Sequence, residues 1–405
     1  MRISTQSFYE QSRAGMGSQQ SNLLRVQQQL GAGTKILAPS DDPLGATRAL
    51  AISQSIALNA QYSTSRAQAT QTLTLEENAL QSVTTLLQNI KSSLIEAGNG
   101  TMADADRATI ATVLQSNLAQ LQGLANTDDG NGQFLFAGFK SGTAPFVSQA
   151  GGGIKYEGDR GRRLLQVDVS RQMAGTDDGR SIFQTVQGGA GYVTSSPVGN
   201  TGSGVFSSTS VVNVADPDYG KDFEIKFSGK GTVAEPLKYT VSGQASTPVA
   251  KDYIAGDPIN FGGLQISISG TPVADDTFNV ATAKNAGTDV FAAISDVINA
   301  LRKPAGSPQG QAPVLNALST ANRKITNAHD NVLTVRSSVG SRLQELDALT
   351  VTGDSRNLSS KSFLSDLQDL DYASAIGEFY QRQTALQASQ QTFVKIQKIA
   401  LFNYL

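Results

Sequence analysis

The sequence predicts a mainly α protein with inserted β structure. Long helices from both chain ends pair in an antiparallel bundle, and a hairpin and an all-β domain are inserted mid-chain. Three observations carry this prediction. Residues 1 to about 130 and about 286 to 405 are rich in Gln, Ala, Ser and Leu, whereas the middle is rich in Gly, Thr, Val and Asp. The ends repeat apolar residues in steps of three and four, the spacing of one helix face. The middle alternates apolar and polar residues, the spacing of a half-buried strand.

Taken in order, the first 36 residues carry a short stripe of Met16, Leu23, Val26 and Leu30. Asp42 and Pro43 then predict a helix start. Aspartate accepts from the orphan N–H groups of a first turn, and proline at the first helical position forfeits no hydrogen bond. The following segment, Pro43 to Ala97, predicts one helix about 80 Å long at ~1.5 Å per residue. Its stripe is Leu73, Leu80, Val83, Leu87, Ile90 and Leu94, with Glu76 filling one gap. GNGTMA turns the chain into a second helix carrying Ile110, Leu114, Leu118 and Leu121.

In the middle, LLQVDVS (164–170), FEIKFSG (223–229), LKYTVSG (237–243) and LQISISG (264–270) read as strands. IKYEGDRGRRLLQV reads as a hairpin turning at GDRG. Beyond it, Thr288-Asp289 predicts a cap for a helix carrying Phe291, Ile294, Ile298 and Leu301, stopped by Pro304. Leu318, Ile325, Val332, Val339 and Leu346 recur every seven residues, with Ala321, Ala328, Val335 and Leu349 three places on and Arg342 breaking that second row. A last helix is predicted from about Ser360 to the end, with Ile376, Phe379, Leu386, Phe393 and Ile396 in line.

These readings divide the chain into five stretches. Residues 1–42 and 356–405 form two parts of a terminal coiled-coil domain. Residues 43–185, with the hairpin, and 286–355 form two parts of a helical domain, and 186–285 is the inserted β domain.

The chemistry available is sparse. There is no cysteine and one histidine, His329, which removes disulfides and thiolate sites and leaves no histidine cluster for a metal. Asp41 and Asp42 are two carboxylates without further ligands nearby, so a helix cap is the simpler reading than a metal site. NTDDGNGQ (126–133) lacks the ordered oxygens and closing glutamate of a calcium loop and reads as a helix-ending turn. No catalytic residue, metal or cofactor is predicted. Net charge is −2, without the basic excess of a phosphate-binding protein, so no nucleic acid is expected. No apolar run is long enough for a membrane span, and the start lacks a secretory h-region. QQQL (27–30) and QASQQTF (387–393) carry little charge yet keep apolar periodicity, which favours helices that pair with copies of the same chain over a solvated tail.

Five stretches resemble the flagellin family of bacterial flagellar proteins. They are MRISTQSFY with QQQLGAGTKILAPSDDPLGA (27–46), GQFLFAGFKSGTAPF (132–146), YEGDRGRRLLQVDVS (156–170), YIAGDPINFGGLQISISGTPVADDTFNV (253–280) and DLDYASAIGEFYQRQTALQASQQTFVKIQKIALFNYL (369–405). Pro-Ser-Asp-Asp-Pro and the 253–280 stretch lean toward the hook-associated members rather than the filament subunit. Asp275-Asp276 departs from the family's frequent Gly-Asp and leaves the turn type there open.

The resemblance implies a structural component at a hook–filament junction, with the helical bundle as a rod and the β domain outermost. It implies export through the flagellum's own apparatus, without a cleaved signal, to the outside of the cell. It also implies assembly with copies of itself, hook-associated protein 1 and flagellin, and an export chaperone on the C-terminal helix. Asp41, Asp42 and Pro43 would set the joint between terminal segment and rod. Leu23, Val26 and Leu30 would meet Phe379, Leu386, Phe393 and Ile396 in the assembly interface. A filament subunit, a secreted adhesin and, more remotely, an enzyme carried on an appendage are the rival readings.

Overall fold

The computed structural model describes residues 5–150 and 153–402. Its helices are α1 (Thr5–Ala32), α2 (Pro43–Ala97), α3 (Asp104–Ala125), α4 (Gly179–Phe183), α5 (Val290–Leu301), α6 (Pro308–Gln368) and α7 (Tyr372–Phe402). The strands are β1 (Phe146–Ser148), β2 (Ile154–Tyr156), β3 (Leu164–Asp168), β4 (Arg171–Ala174), β5 (Val193–Ser195), β6 (Val205–Phe206), β7 (Ser210–Val211), β8 (Phe223–Ser228), β9 (Lys238–Ser242), β10 (Lys251–Asp252), β11 (Pro258–Phe261), β12 (Leu264–Ser269) and β13 (Thr277–Ala281). The chain divides into two compact units, residues 1–64 with 348–405 and residues 65–347. The class is the predicted one: long helices from both ends, with antiparallel sheets inserted between them.

In the 65–347 unit the predicted stripes are the core. Leu73, Leu80, Val83, Leu87, Ile90 and Leu94 of α2 are buried, as are Leu318, Ile325, Val332, Val339 and Leu346 of α6. Each such side chain contributes about 1.5–3 kcal/mol by leaving water. The two helices run antiparallel. Arg336 binds Glu77 at 2.6 Å, and further along α2 Gln88 meets His329 at 3.5 Å. Ile110, Leu114, Leu118 and Leu121 of α3 are buried, and α3 packs on α5. Asp289 caps α5 as expected, accepting from the N–H groups of Phe291 and Ala292 at 2.8 and 3.1 Å.

The inserted sheets follow the alternation. One sheet runs β10-β9-β8-β13-β5 and another runs β11-β12-β6, with β7 also on β12. Phe223, Ile225 and Phe227 of β8 point to a shared core with Ile266 and Ile268 of β12 and Phe278 and Val280 of β13. Polar residues of α6 pin these strands through their backbone. Asn316 accepts from Phe206 N–H and donates to the Gly204 carbonyl, and the Thr320 hydroxyl donates to the Thr194 carbonyl.

Asp275 resolves the open turn between β12 and β13. Its φ is +71°, the left-handed conformation that glycine adopts without penalty. Aspartate here takes the backbone conformation that a glycine would. Asp276, buried, accepts from the N–H groups of Thr201, Gly202 and Val273 at 2.9, 3.1 and 2.9 Å, tying the turn to the chain before β6. Asp275→Gly is expected to stabilise the unit by up to about 1 kcal/mol, less what the exposed Lys226 ion pair contributes, measured by denaturant unfolding. Destabilisation would mean the ion pair outweighs the backbone strain.

Two expectations need correction. The 154–167 segment is not one hairpin. β2 pairs with β1, and β3 pairs with β4 across Val169-Ser170. The GDRG turn is instead drawn onto residues 137–139. Asp159 N–H donates to the Ala137 carbonyl, and its carboxylate accepts from Phe139 and Gly161 N–H. Gly138 makes room, since a Cβ there would lie 2.3 Å from the Asp159 carboxylate. The second correction concerns the last helix. Residues 360–368 complete α6, and the chain breaks at 369–371 before α7 begins. Asp371 makes the break, accepting from Ala373 and Ser374 N–H at 3.0 and 3.4 Å as an N-cap.

Candidate functional site

The 1–64 with 348–405 unit is built on α1 and α7, which lie against each other. Neither has a strong apolar face, so neither is expected to hold as an isolated helix. Tyr9 and Phe393 meet edge to face with ring centroids 5.4 Å apart. Val26 is buried. Leu23, Leu30, Phe379, Leu386 and Phe393 are each half-buried. The side chain of Ile396 lies outside the described residues. Two helices alone thus leave the seam partly open. Around it, Leu24 (51%), Tyr380 (62%) and Val394 (47%) are exposed, as are Leu358 (72%) and Phe363 (52%) on the end of α6.

The α1–α2 connection is anchored to the α6–α7 connection. Gly33 ends α1 with φ +71°, its N–H donating to the Gln29 carbonyl at 2.8 Å. A Cβ at Gly33 would lie 2.9 Å from the Tyr372 hydroxyl. Leu370 N–H donates to the Gly33 carbonyl at 3.0 Å and Lys35 N–H to the Gln368 carbonyl at 2.8 Å, a one-residue antiparallel bridge of Thr34 with Asp369. Lys35 Nζ adds a bond to the Asp366 carbonyl at 2.6 Å.

Within this joint the two aspartates do different work. Asp42 accepts from Gly45 N–H at 2.9 Å, in the N-cap position of a helix that starts at Pro43. Asp41 turns back. It accepts from Leu37 and Ala38 N–H at 3.1 Å each and pairs with Arg25 of α1 at 3.2 Å. Sequence reasoning did not separate these roles, because the partners of Asp41 precede it in a loop with no periodicity. Asp42→Ala is expected to cost about 1 kcal/mol, read as faster amide exchange in the first turn of α2. Asp41→Ala is expected to cost more, about 2 kcal/mol, with exchange rising at Leu37 and Ala38. Equal exchange profiles for the two variants would show the roles are not separate.

Elsewhere, polar groups set into the helix stripes are bound within the fold. Glu76, fully buried in the α2 stripe, accepts from Asp177 N–H at 3.3 Å. Burial, and then the Asp177 carboxylate, push its carboxyl up to about 8, against the pull of Arg342 and Arg162. Arg342, the break in the second heptad row, binds Asp177 and the Ala174 carbonyl. His329 is half-buried beside Gln88 and Asp330. Among the described residues no group of three or more His, Cys, Asp or Glu side chains is gathered to hold a metal, and no helix is long and apolar enough to cross a membrane.

The chain is similar to known proteins along its length. Residues 3–141 match the family model described as the bacterial flagellin N-terminal helical region. The flagellar hook-associated protein 3 of Escherichia coli K12 is 33% identical over 403 residues, 99% of each chain. That of Salmonella typhimurium LT2 has the same identity and coverage. The crystal structure of flagellar hook associated protein-3 from Legionella pneumophila is 30% identical, with a TM-score of 0.71, covering 78% of this chain and 98% of that one.

Proposed function

This chain belongs to the flagellin family, in its hook-associated protein 3 branch, and from that premise we propose that it is a structural subunit of the hook–filament junction, without catalysis. It joins hook to filament and offers flagellin a surface on which to begin. The observation that carries the reading is the terminal pair. α1 and α7 hold each other in one chain yet leave an apolar seam half open, which neighbouring copies would close. Leu24, Tyr380 and Val394 beside the seam stay exposed, and such copies would cover them.

In this reading Leu23, Val26, Leu30, Phe379, Leu386, Phe393 and Ile396 form the assembly interface, and Asp41, Asp42 and Pro43 fix the joint behind it. The neighbours are copies of the chain, hook-associated protein 1 on the hook side and flagellin on the filament side. An export chaperone holds α7 before assembly, so that the ordering cost of the terminal helices is met at the growing end. Residues 186–285 form the outer domain, outside the cell.

Deleting the gene in the source bacterium tests the function. Electron microscopy is expected to show bare hooks, with flagellin lost to the medium, since flagellin is made and exported but has nowhere to attach. Normal filaments would refute the junction role and favour the adhesin reading. Hooks without flagellin in the medium would point to a failure of export instead.

A further inference from the structure

A cleft of about 870 Å³ opens in the 65–347 unit, between the α4 region and the strand-bearing part of the chain. Three cationic side chains line it, Arg160, Arg180 and Lys284. All three are exposed, and none has an ion-pair or hydrogen-bond partner among the described residues. The one carboxylate in the wall, Asp178, is buried and engaged with Ser181 N–H at 2.9 Å. The backbone N–H groups of Gly188 and Gly189, also in the wall, find no acceptor among the described residues. In a chain of net charge −2, three cationic side chains and two free donors thus face one carboxylate in the wall and Asp222 behind Thr282, an excess of positive charge in one concavity. Such a site attracts anions and focuses their approach.

The remaining wall narrows the class of anion. Ser181, Thr185 and Thr282 have already donated their hydroxyl protons, to the Asp178 carbonyl at 2.7 Å, the Arg180 carbonyl at 3.0 Å and the Asp222 carboxylate at 3.2 Å. Thr288 likewise donates to the Gln184 carbonyl. These oxygens retain only lone pairs, so they accept from a ligand's hydroxyl groups. Tyr219, 37% exposed and set against Tyr192 at 5.8 Å, adds an aromatic face. Cations for an anionic group, acceptors for hydroxyls and an aromatic face are together the complement of an acidic sugar. We propose that this cleft binds a carboxylated oligosaccharide. The size suits a few sugar rings.

The site does not depend on the junction reading, because binding is measured on the isolated full-length chain, whatever the deletion shows. Calorimetric titration at low salt would use trigalacturonate, with maltotriose as the uncharged control and hexaglutamate as an acidic peptide. Trigalacturonate is expected to bind with a Kd on the order of 10–500 μM, and maltotriose to give no heat. Arg160→Ala with Arg180→Ala and Lys284→Ala is expected to weaken binding by tenfold or more. Their exposure and lack of partners leave the fold intact, which a thermal melt would verify. Lys284→Gln alone, expected to lose about threefold, serves if the triple variant melts early. Absence of trigalacturonate binding, unchanged affinity in both variants, or equal binding of hexaglutamate would each overturn the proposal, the last in favour of an acidic polypeptide.

Discussion

Replacing Leu386 and Phe393 together with aspartate is expected to abolish assembly while leaving a soluble monomer. Both side chains are half-buried in the α1–α7 unit, and Phe393 also loses its edge-to-face contact with Tyr9. Each removal forfeits about 1–3 kcal/mol of apolar burial, and each new carboxylate must stay solvated, which an apolar seam does not allow. α7 therefore detaches from α1, and neither helix holds alone. The 65–347 unit has its own core in the α2 and α6 stripes, so its thermal transition should not move. Sedimentation velocity and electron microscopy would show monomers only, and a strain carrying the variant should be non-motile. Assembly at the wild-type level would refute the interface. A lowered transition of the larger unit would mean that the variant acts through misfolding.

The second large effect is pH-dependent and comes from Glu76. Its carboxyl titrates near 8 in the folded chain against an ordinary value of 4.5, chiefly because it is buried. Below pH 4.5 both folded and unfolded states hold the proton. Between 4.5 and 8 the unfolded state releases it and the folded state does not, so stability falls as pH rises through this window. Above 8 the loss is complete. At about 1.4 kcal/mol per pH unit, the group removes on the order of 3–5 kcal/mol between pH 4.5 and 8. Glu76→Gln keeps an acceptor for Asp177 N–H and carries no proton to lose. It is expected to match the parent at pH 4.5 and exceed it by that amount at pH 8, in denaturant titrations at both values. A constant offset at the two pH values would mean that Glu76 is not protonated in the folded chain.

Much of the fold is legible in the sequence because helical burial is periodic. Pro43 to Ala97 is helical as read, and the heptad from Leu318 to Leu346 is the core of α6. Asp289 and Asp42 stand where their capping chemistry places them. What escaped has no period. The partners of β2 and β3 depend on where Asp159 docks, a tertiary choice that alternation cannot encode. The break at 369–371 is made by Asp371 within a run that keeps its apolar spacing on both sides, so periodicity hid it. Arg342 reads as a defect in a stripe and turns out to be the partner of Asp177. The joint between residues 33–35 and 368–370 is made by backbone groups, which side-chain patterns do not report.

The pairing of α1 with α7 has a consequence in time. A polypeptide is made from its amino end, so α1 emerges before its partner, which follows only after α2 to α6 and all the strands. Closing so distant a contact is slow, and α1 must wait in the open throughout. A helix with a strong apolar face would aggregate during that delay. The glutamine-rich, weakly apolar α1 is the kind of segment that survives it.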